Sequence, residues 1–196
     1  LGDVYKRQRL DLNNLYKILE LVTDYNCKLL PVIKGRNEED ILQLYNEGFR
    51  EFGENRLNEL SDHARFLPEA RFHFIAPLQS RKIREIMNSC DFIHTLQRPK
   101  EILAINECYE NQDIFVQINI DDDPNKSGIK INEVDEFFDN FEGLKYFPVG
   151  IMCIPSFDAD PESSFNMMSK INEKLKKDFK RMLFENSLTF VVCERV

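Results

Sequence analysis

The segment KLLPVIKGRNEEDILQLYNEGF, Lys28 to Phe49, changes periodicity partway along. Leu29, Leu30, Val32 and Ile33 form a short apolar run suited to a buried strand. Lys34 and Gly35 end it. Asn37 then supplies an N-cap, and Ile41, Leu44, Tyr45 and Phe49 recur at helical intervals. The segment therefore predicts a strand, a turn and a helix in sequence. It also poses a chemical question, because an unpaired ammonium group is costly to desolvate in a strand. Pro31 adds an irregularity, since it removes a ladder donor from the run.

The same unit repeats along the chain. Further apolar runs are a weaker Glu51–Gly53, then Arg71–Ala76, Phe92–Leu96, Ile114–Ile120, Tyr146–Ile154 and Leu188–Cys193. Amphipathic stretches fall between them. Ile83, Ile86 and Met87 follow Ser80; Ile102, Ile105 and Cys108 follow Pro99; Val134, Phe137, Phe138 and Phe141 follow Asn132; Met167, Ile171, Leu175, Phe179 and Leu183 follow Ser164. An earlier helix, with Leu12, Leu15, Leu19 and Val22 on one face, opens the domain. Strands alternating with helices imply parallel βαβ units, in either an open doubly wound sheet or a closed barrel. Neither a GxGxxG nor a GxxxxGK[ST] loop is present, which favours the barrel. The expected fold is an α/β, (β/α)8 TIM-type barrel, incomplete, with about seven strands. Such a barrel typically needs eight strand–helix units and about 250 residues, whereas the chain has 196. Residues 1–8 (LGDVYKRQ) lack periodicity and are expected to be a flexible or non-native leader, with 9–196 forming one domain that lacks its C-terminal part.

Composition narrows the function classes. With 42% hydrophobic and 31% charged residues, the chain fits a soluble globular protein of cytoplasmic type. No apolar run approaches the roughly 20 residues needed to cross a bilayer, and no secretory signal is visible. The formal charge of -8 disfavours non-specific nucleic-acid binding. Any anionic ligand must be held by a local pocket. The five cysteines are odd in number and lack CxxC spacing, which argues against a disulfide framework or a zinc site and for buried free thiols.

In parallel barrels, function collects at the C-terminal strand ends. Lys34 follows the first run; Glu54 and Asn55 follow EFG; His73 interrupts the third, with Pro77, Gln79 and Ser80 after it; His94 and Thr95 close the fourth. Gln117 and Asn119 alternate in the fifth and share a face, and Met152, Pro155 and Ser156 follow the sixth. Each alone is an ordinary loop amide or surface lysine. Together they point to a polar ligand at a barrel mouth. A lysine in a low-dielectric pocket has a depressed pKa, and its neutral amine can form a Schiff base with an aldehyde. The consecutive Asp121, Asp122 and Asp123 make poor shared ligands and are read as a solvated acidic turn.

Six motifs in order give a specific resemblance. LLPVIKGRN, FGENR (Phe52–Arg56), FHFIAPLQSRK (Phe72–Lys82), IHTL (Ile93–Leu96), VQINIDDDPNKSGI (Val116–Ile129) and GIMCIPS (Gly150–Ser156) resemble the strand motifs of the pyridoxal phosphate homeostasis proteins, the YggS-like or PROSC-like family. Ala76 stands where glycine is usual. The resemblance implies an alanine-racemase-type barrel with pyridoxal 5'-phosphate bound as a Schiff base on Lys34. Asn55 and His73 would lie near the cofactor or the lysine, and Met152 would flank the ring. Lys126 matches a second lysine of the family, either a further amine for the aldehyde or a solvated side chain. The family carries or buffers the cofactor without an established reaction, so the expectation is a monomeric or weakly dimeric carrier and not an enzyme, with PLP-dependent apoenzymes as partners. The rivals are a racemase- or decarboxylase-like enzyme, a phosphosugar-type barrel enzyme and an inactive fragment. NSLTF (Asn186–Phe190) resembles the start of the seventh-strand motif, but VVCERV departs from it, without its serine and glycine. A family member so truncated is expected to grip the phosphate weakly.

Overall fold

The computed structural model describes residues 10–24 and 27–178. Its strands are β1 (Glu51–Glu54), β2 (Arg71–Phe74), β3 (Phe92–Leu96), β4 (Asp113–Asn119), β5 (Ile129–Lys130) and β6 (Gly150–Cys153). Its helices are α1 (Leu12–Asp24), α2 (Glu38–Asn46), α3 (Leu57–Phe66), α4 (Ile83–Met87), α5 (Pro99–Cys108), α6 (Val134–Asp139) and α7 (Pro161–Asp178). The six strands form one sheet in which β1, β2, β3 and β4 are neighbours in chain order and every pairing is parallel. Beyond β3, the short β5 takes over one edge of β4 at Ile118 and Asn119, while β6 pairs along the other edge from Phe115 to Ile118.

Side-chain alternation along β4 sorts the protein into two apolar regions. Ile114, Val116 and Ile118 are buried in the large cluster shared with the helices. Phe115 points the other way and packs with Phe92 and Met152 in a second, smaller buried cluster. Strand β2 divides likewise, with Phe72 and Phe74 on the helix side and His73 stacked on Phe92. A sheet covered on both faces by apolar side chains is the expected product of parallel βαβ units. The inner cluster is the filling of a curved, barrel-like sheet. Each fully buried Phe or Ile in either region contributes roughly 2–3 kcal/mol.

Two local choices of residue set this geometry. At Gly150, a Cβ would lie 3.0 Å from the Phe115 ring, so glycine makes room for the inner cluster. At Gly128, φ is +118° and a Cβ would lie 2.5 Å from the Asn119 amide nitrogen, so only glycine lets the loop after β4 return against its parent strand.

The helices expected after Asn37, Ser80, Pro99 and Asn132 are present. Asn37 caps α2 by accepting the Asp40 N–H at 2.8 Å. The last helix begins at Pro161, ahead of the expected Ser164. Two expectations are corrected. The run Leu29–Ile33 is not a full strand. It joins the sheet edge through a single parallel bridge, Val32 to Gly53, in which Gly53 N–H donates to Pro31 O and Ile33 N–H to Gly53 O. Pro31 has no N–H to extend the ladder. The run Tyr146–Ile154 narrows to β6, because Tyr146 and Phe147 join an aromatic cluster with Phe138 and Phe141. Strand β5 and helix α3 were not anticipated. The seventh-strand candidate Leu188–Cys193 and the leader 1–8 lie outside the described residues. Among the described residues, no helix is long and apolar enough to cross a membrane.

Candidate functional site

The Val32–Gly53 bridge sets the height of the site. Gly53 is in register with His73, and His73 with Phe92, so these residues form one level of the inner face. Gly53 is glycine because a Cβ there would meet Val32 at 3.2 Å. Two residues further along their segments, past the ends of the paired backbone, come Lys34 and Asn55.

Lys34 stands exposed in a tight turn. Arg36 N–H donates to Ile33 O at 3.0 Å, and Gly35 takes φ +66°. These two features define a β-turn with glycine at its third position. Lys34 is thus not enclosed in an apolar pocket: the strand ends before it, and the turn lifts it to the surface. Asn55 is half-buried, and its Oδ1 has no hydrogen-bond partner.

His73 lies a level lower. Its Nδ1 is 2.8 Å from His94 Nε2. Its ring stacks on Phe92 at 3.8 Å, and the His94 ring stacks on Phe115 at 4.7 Å. Burial pushes His73 down to about 2 and His94 down to about 4, so both are neutral near pH 7. His73 Nε2 and His94 Nδ1 have no hydrogen-bond partner; Glu51 Oε2 is 3.8 Å from the former. Met152, 1% exposed, completes this layer with Phe92 and Phe115. His73 and Met152 thus belong to the packed interior beneath the mouth.

At the strand ends, a cavity of about 190 Å³ is lined by Ile75, Pro77, Thr95, Gln117, Lys126, Ser127 and Ile154. It is smaller than a typical ligand site of roughly 300–1,000 Å³, so it has room for one group of a ligand. Gln117 donates to Ser127 O at 3.3 Å, and its Oε1 has no partner. Lys126 is half-buried and tied down. Its Nζ donates to Asp121 Oδ2 at 2.9 Å and to Ile154 O at 3.0 Å. The reading of Asp121 as part of a solvated turn is corrected. It accepts from Lys126 and from both Ser156 N–H and Oγ–H, and these bonds outweigh its partial burial to hold its carboxyl below the usual range.

Of two acidic groups near Asn55, the sequence marks Glu54 as a strand-end residue but not its partners, and Glu59 was missed. Glu54, fully buried, lies 3.0 Å from His63 Nδ1 and accepts the Asn55 N–H at 3.1 Å. Burial pushes Glu54 up to about 7 and His63 down. Glu59, on α3, accepts the Gly35 N–H at 2.6 Å. The signal for Glu59 was its place three residues into a helix, where a carboxylate reaches for backbone N–H groups.

Residues 11–190 match the family described as alanine racemase, N-terminal domain. A pyridoxal phosphate homeostasis protein of Pasteurella multocida is 33% identical over 162 residues, covering 76% of this chain and 70% of that protein. The chain belongs to the pyridoxal phosphate homeostasis protein family. A second member, from Corynebacterium glutamicum, is 29% identical over 170 residues, covering 81% of this chain and 77% of its own. The fold agrees with that family. PipY of Synechococcus elongatus, solved with PLP bound, superposes with a TM-score of 0.75 at 18% identity, over 93% of this chain and 97% of its own. Enzymes share the fold as well: a lysine/ornithine decarboxylase of Vibrio vulnificus gives a TM-score of 0.71 at 12% identity, over 92% of this chain but 49% of its own. The family fold is thus the alanine racemase N-terminal type, to which the described residues contribute six parallel strands.

Proposed function

We propose that this chain binds pyridoxal 5'-phosphate at the C-terminal mouth of its sheet and serves cellular vitamin B6 homeostasis as a cytoplasmic cofactor carrier, not as an enzyme. Lys34 would hold the cofactor as a Schiff base, its amine meeting the electrophilic aldehyde that pyridoxal phosphate supplies. The observation that carries the reading is an exposed amine and unpaired buried amide oxygens at the same end of the sheet. Lys34 and Asn55 follow the Val32–Gly53 bridge, and Asn55 Oδ1 and Gln117 Oε1 both lack partners. Unpaired buried acceptors are rare in folded proteins and suit a polar ligand's donors.

The residues fit the group. Asn55 and Gln117 can accept from it, and the ammonium of Lys126 lines the adjoining cavity and favours an anionic substituent there. The imidazole pair and Met152 close the space from below. Pyridoxal phosphate supplies an electron-withdrawing aldehyde when bound. Release to PLP-dependent apoenzymes is the carrier step, since the linkage is reversible by water.

The test is a titration of the protein with pyridoxal phosphate, followed by borohydride reduction and peptide mapping. Label is expected on Lys34 and absent in Lys34→Ala. Label spread over surface lysines and unchanged by that substitution would overturn the reading. Racemisation and decarboxylation assays with common amino acids are expected to give no turnover; turnover that requires Lys34 would make the chain an enzyme.

A further inference from the structure

The turn that carries Lys34 is held from a second direction. Within its own segment it is defined by the Arg36–Ile33 bond, the left-handed conformation of Gly35 and the Arg36–Asp40 ion pair. Glu59 adds a tether. Its Oε2 accepts the Gly35 N–H at 2.6 Å, and its Oε1 accepts from the Arg56 guanidinium, also at 2.6 Å. Glu59 sits in the first turn of α3, which is fixed to the core by buried Leu57 and Leu60. Partial burial alone would raise its pKa, but the Gly35 and Arg56 bonds hold it below the usual range. The carboxylate is therefore charged near pH 7, and a charge-assisted bond to a backbone N–H is stronger than a neutral one. A side chain at position 35 would meet nothing within 4 Å. Glycine is needed there for its φ, which aims the N–H, and not for space.

We propose that Glu59 is a positioning residue for Lys34: by clamping the Gly35 N–H, it fixes the turn and presents the amine to the mouth. It touches neither the amine nor the ligand. The proposal rests on the reading of Lys34 as the cofactor amine. The clamp joins two chain segments, the one ending in Lys34 and the one following Asn55, so it fixes both groups relative to one another.

The test compares wild type, Glu59→Ala, Glu59→Gln and the exposed control Asn58→Ala. Exchange of the Gly35 amide in the protein without ligand is expected to speed up about tenfold in Glu59→Ala. The rate of Lys34 labelling, using pyridoxal phosphate with borohydride trapping, is expected to fall about tenfold, with label shifting to other lysines. Glu59→Gln keeps an acceptor and restores part of both; Asn58→Ala changes neither. Faster Gly35 exchange with unchanged Lys34 labelling would overturn the clamp's positioning role, as would unchanged exchange. If Glu59→Ala does not fold, Glu59→Gln decides: labelling equal to wild type overturns the proposal. Failure of the underlying reading is distinct, since wild type itself would then carry no label on Lys34.

Discussion

His73 Nδ1 and His94 Nε2 lie 2.8 Å apart, each ring stacked on its own phenylalanine. One proton must occupy that shared bond, and the two outer ring nitrogens face the interior without partners. Removing one ring strands the other nitrogen and leaves a cavity, so His73→Ala and His94→Ala should each cost about 2–4 kcal/mol. The double variant should cost about 1 kcal/mol less than the sum, because the second removal breaks no further bond. Urea denaturation checks this; strict additivity would mean the bond contributes nothing.

The same pair sets a pH dependence. Both imidazoles have folded pKa values depressed below 6.5, to about 2 and about 4. The unfolded chain therefore binds more protons below pH 6.5. The stability these groups contribute is present above that pH and is lost progressively as pH falls through 6.5 toward 4. Melting curves from pH 7 to 5 should show that decline, with a shallower one in the double alanine variant.

Glu54 works in the opposite sense. Its folded pKa is raised from 4.5 to about 7 by burial. Its contribution is fully present below pH 4.5 and is lost as pH rises through 7. Glu54→Gln keeps the shape and cannot ionise, so at pH 8 it should exceed wild type in stability by about 1 kcal/mol or more. The gap should close at pH 5. A variant less stable than wild type at pH 8 would contradict this account.

Gly128→Ala should be among the most damaging surface-loop changes. The new methyl meets the Asn119 backbone 2.5 Å away at a φ of +118°. A loss of about 2–4 kcal/mol is expected, read as a drop in Tm. Lys126, two residues away, should become more reactive to amine reagents as its loop lifts.

Asp121→Asn should loosen that loop more gently. It removes the charged acceptor of three bonds, from Lys126 Nζ, Ser156 N–H and Ser156 Oγ–H. A loss of about 1–2 kcal/mol is expected, with faster amide exchange at Ser156 and no change in α3. Unaltered exchange at Ser156 would show that the network does not hold the loop.

The order of strand, turn and helix was legible in the sequence because buried strands and amphipathic helices impose different apolar spacings. What escaped notice did so for physical reasons. The two-residue β5 exists only because Gly128 brings the chain back to β4, a tertiary event with no local periodicity. Helix α3 has no side-chain cap and buries few large apolar residues, chiefly Leu57 and Leu60. In the first run, Pro31 permits one bridge where the apolar pattern promised a strand. At the site, Lys34, Asn55 and Gln117 were visible as polar residues at strand ends. The ties of Lys126 left no sequence signal, because its partners, Asp121 and the Ile154 carbonyl, are brought to it by the fold. Glu59 and the Glu54–His63 pair act on backbone N–H groups and on each other across 24 and 9 residues, a coupling with no sequence pattern.

The stacked layer of Phe92, His73, His94, Phe115 and Met152 gives the barrel a floor. A molecule entering from the strand ends meets a cup and not a tube, and its depth is limited by rings locked against one another. Selection among ligands would then act mainly sideways, through what the rim residues can grasp. Variation in the rim loops would change what is grasped without disturbing the packed layer beneath.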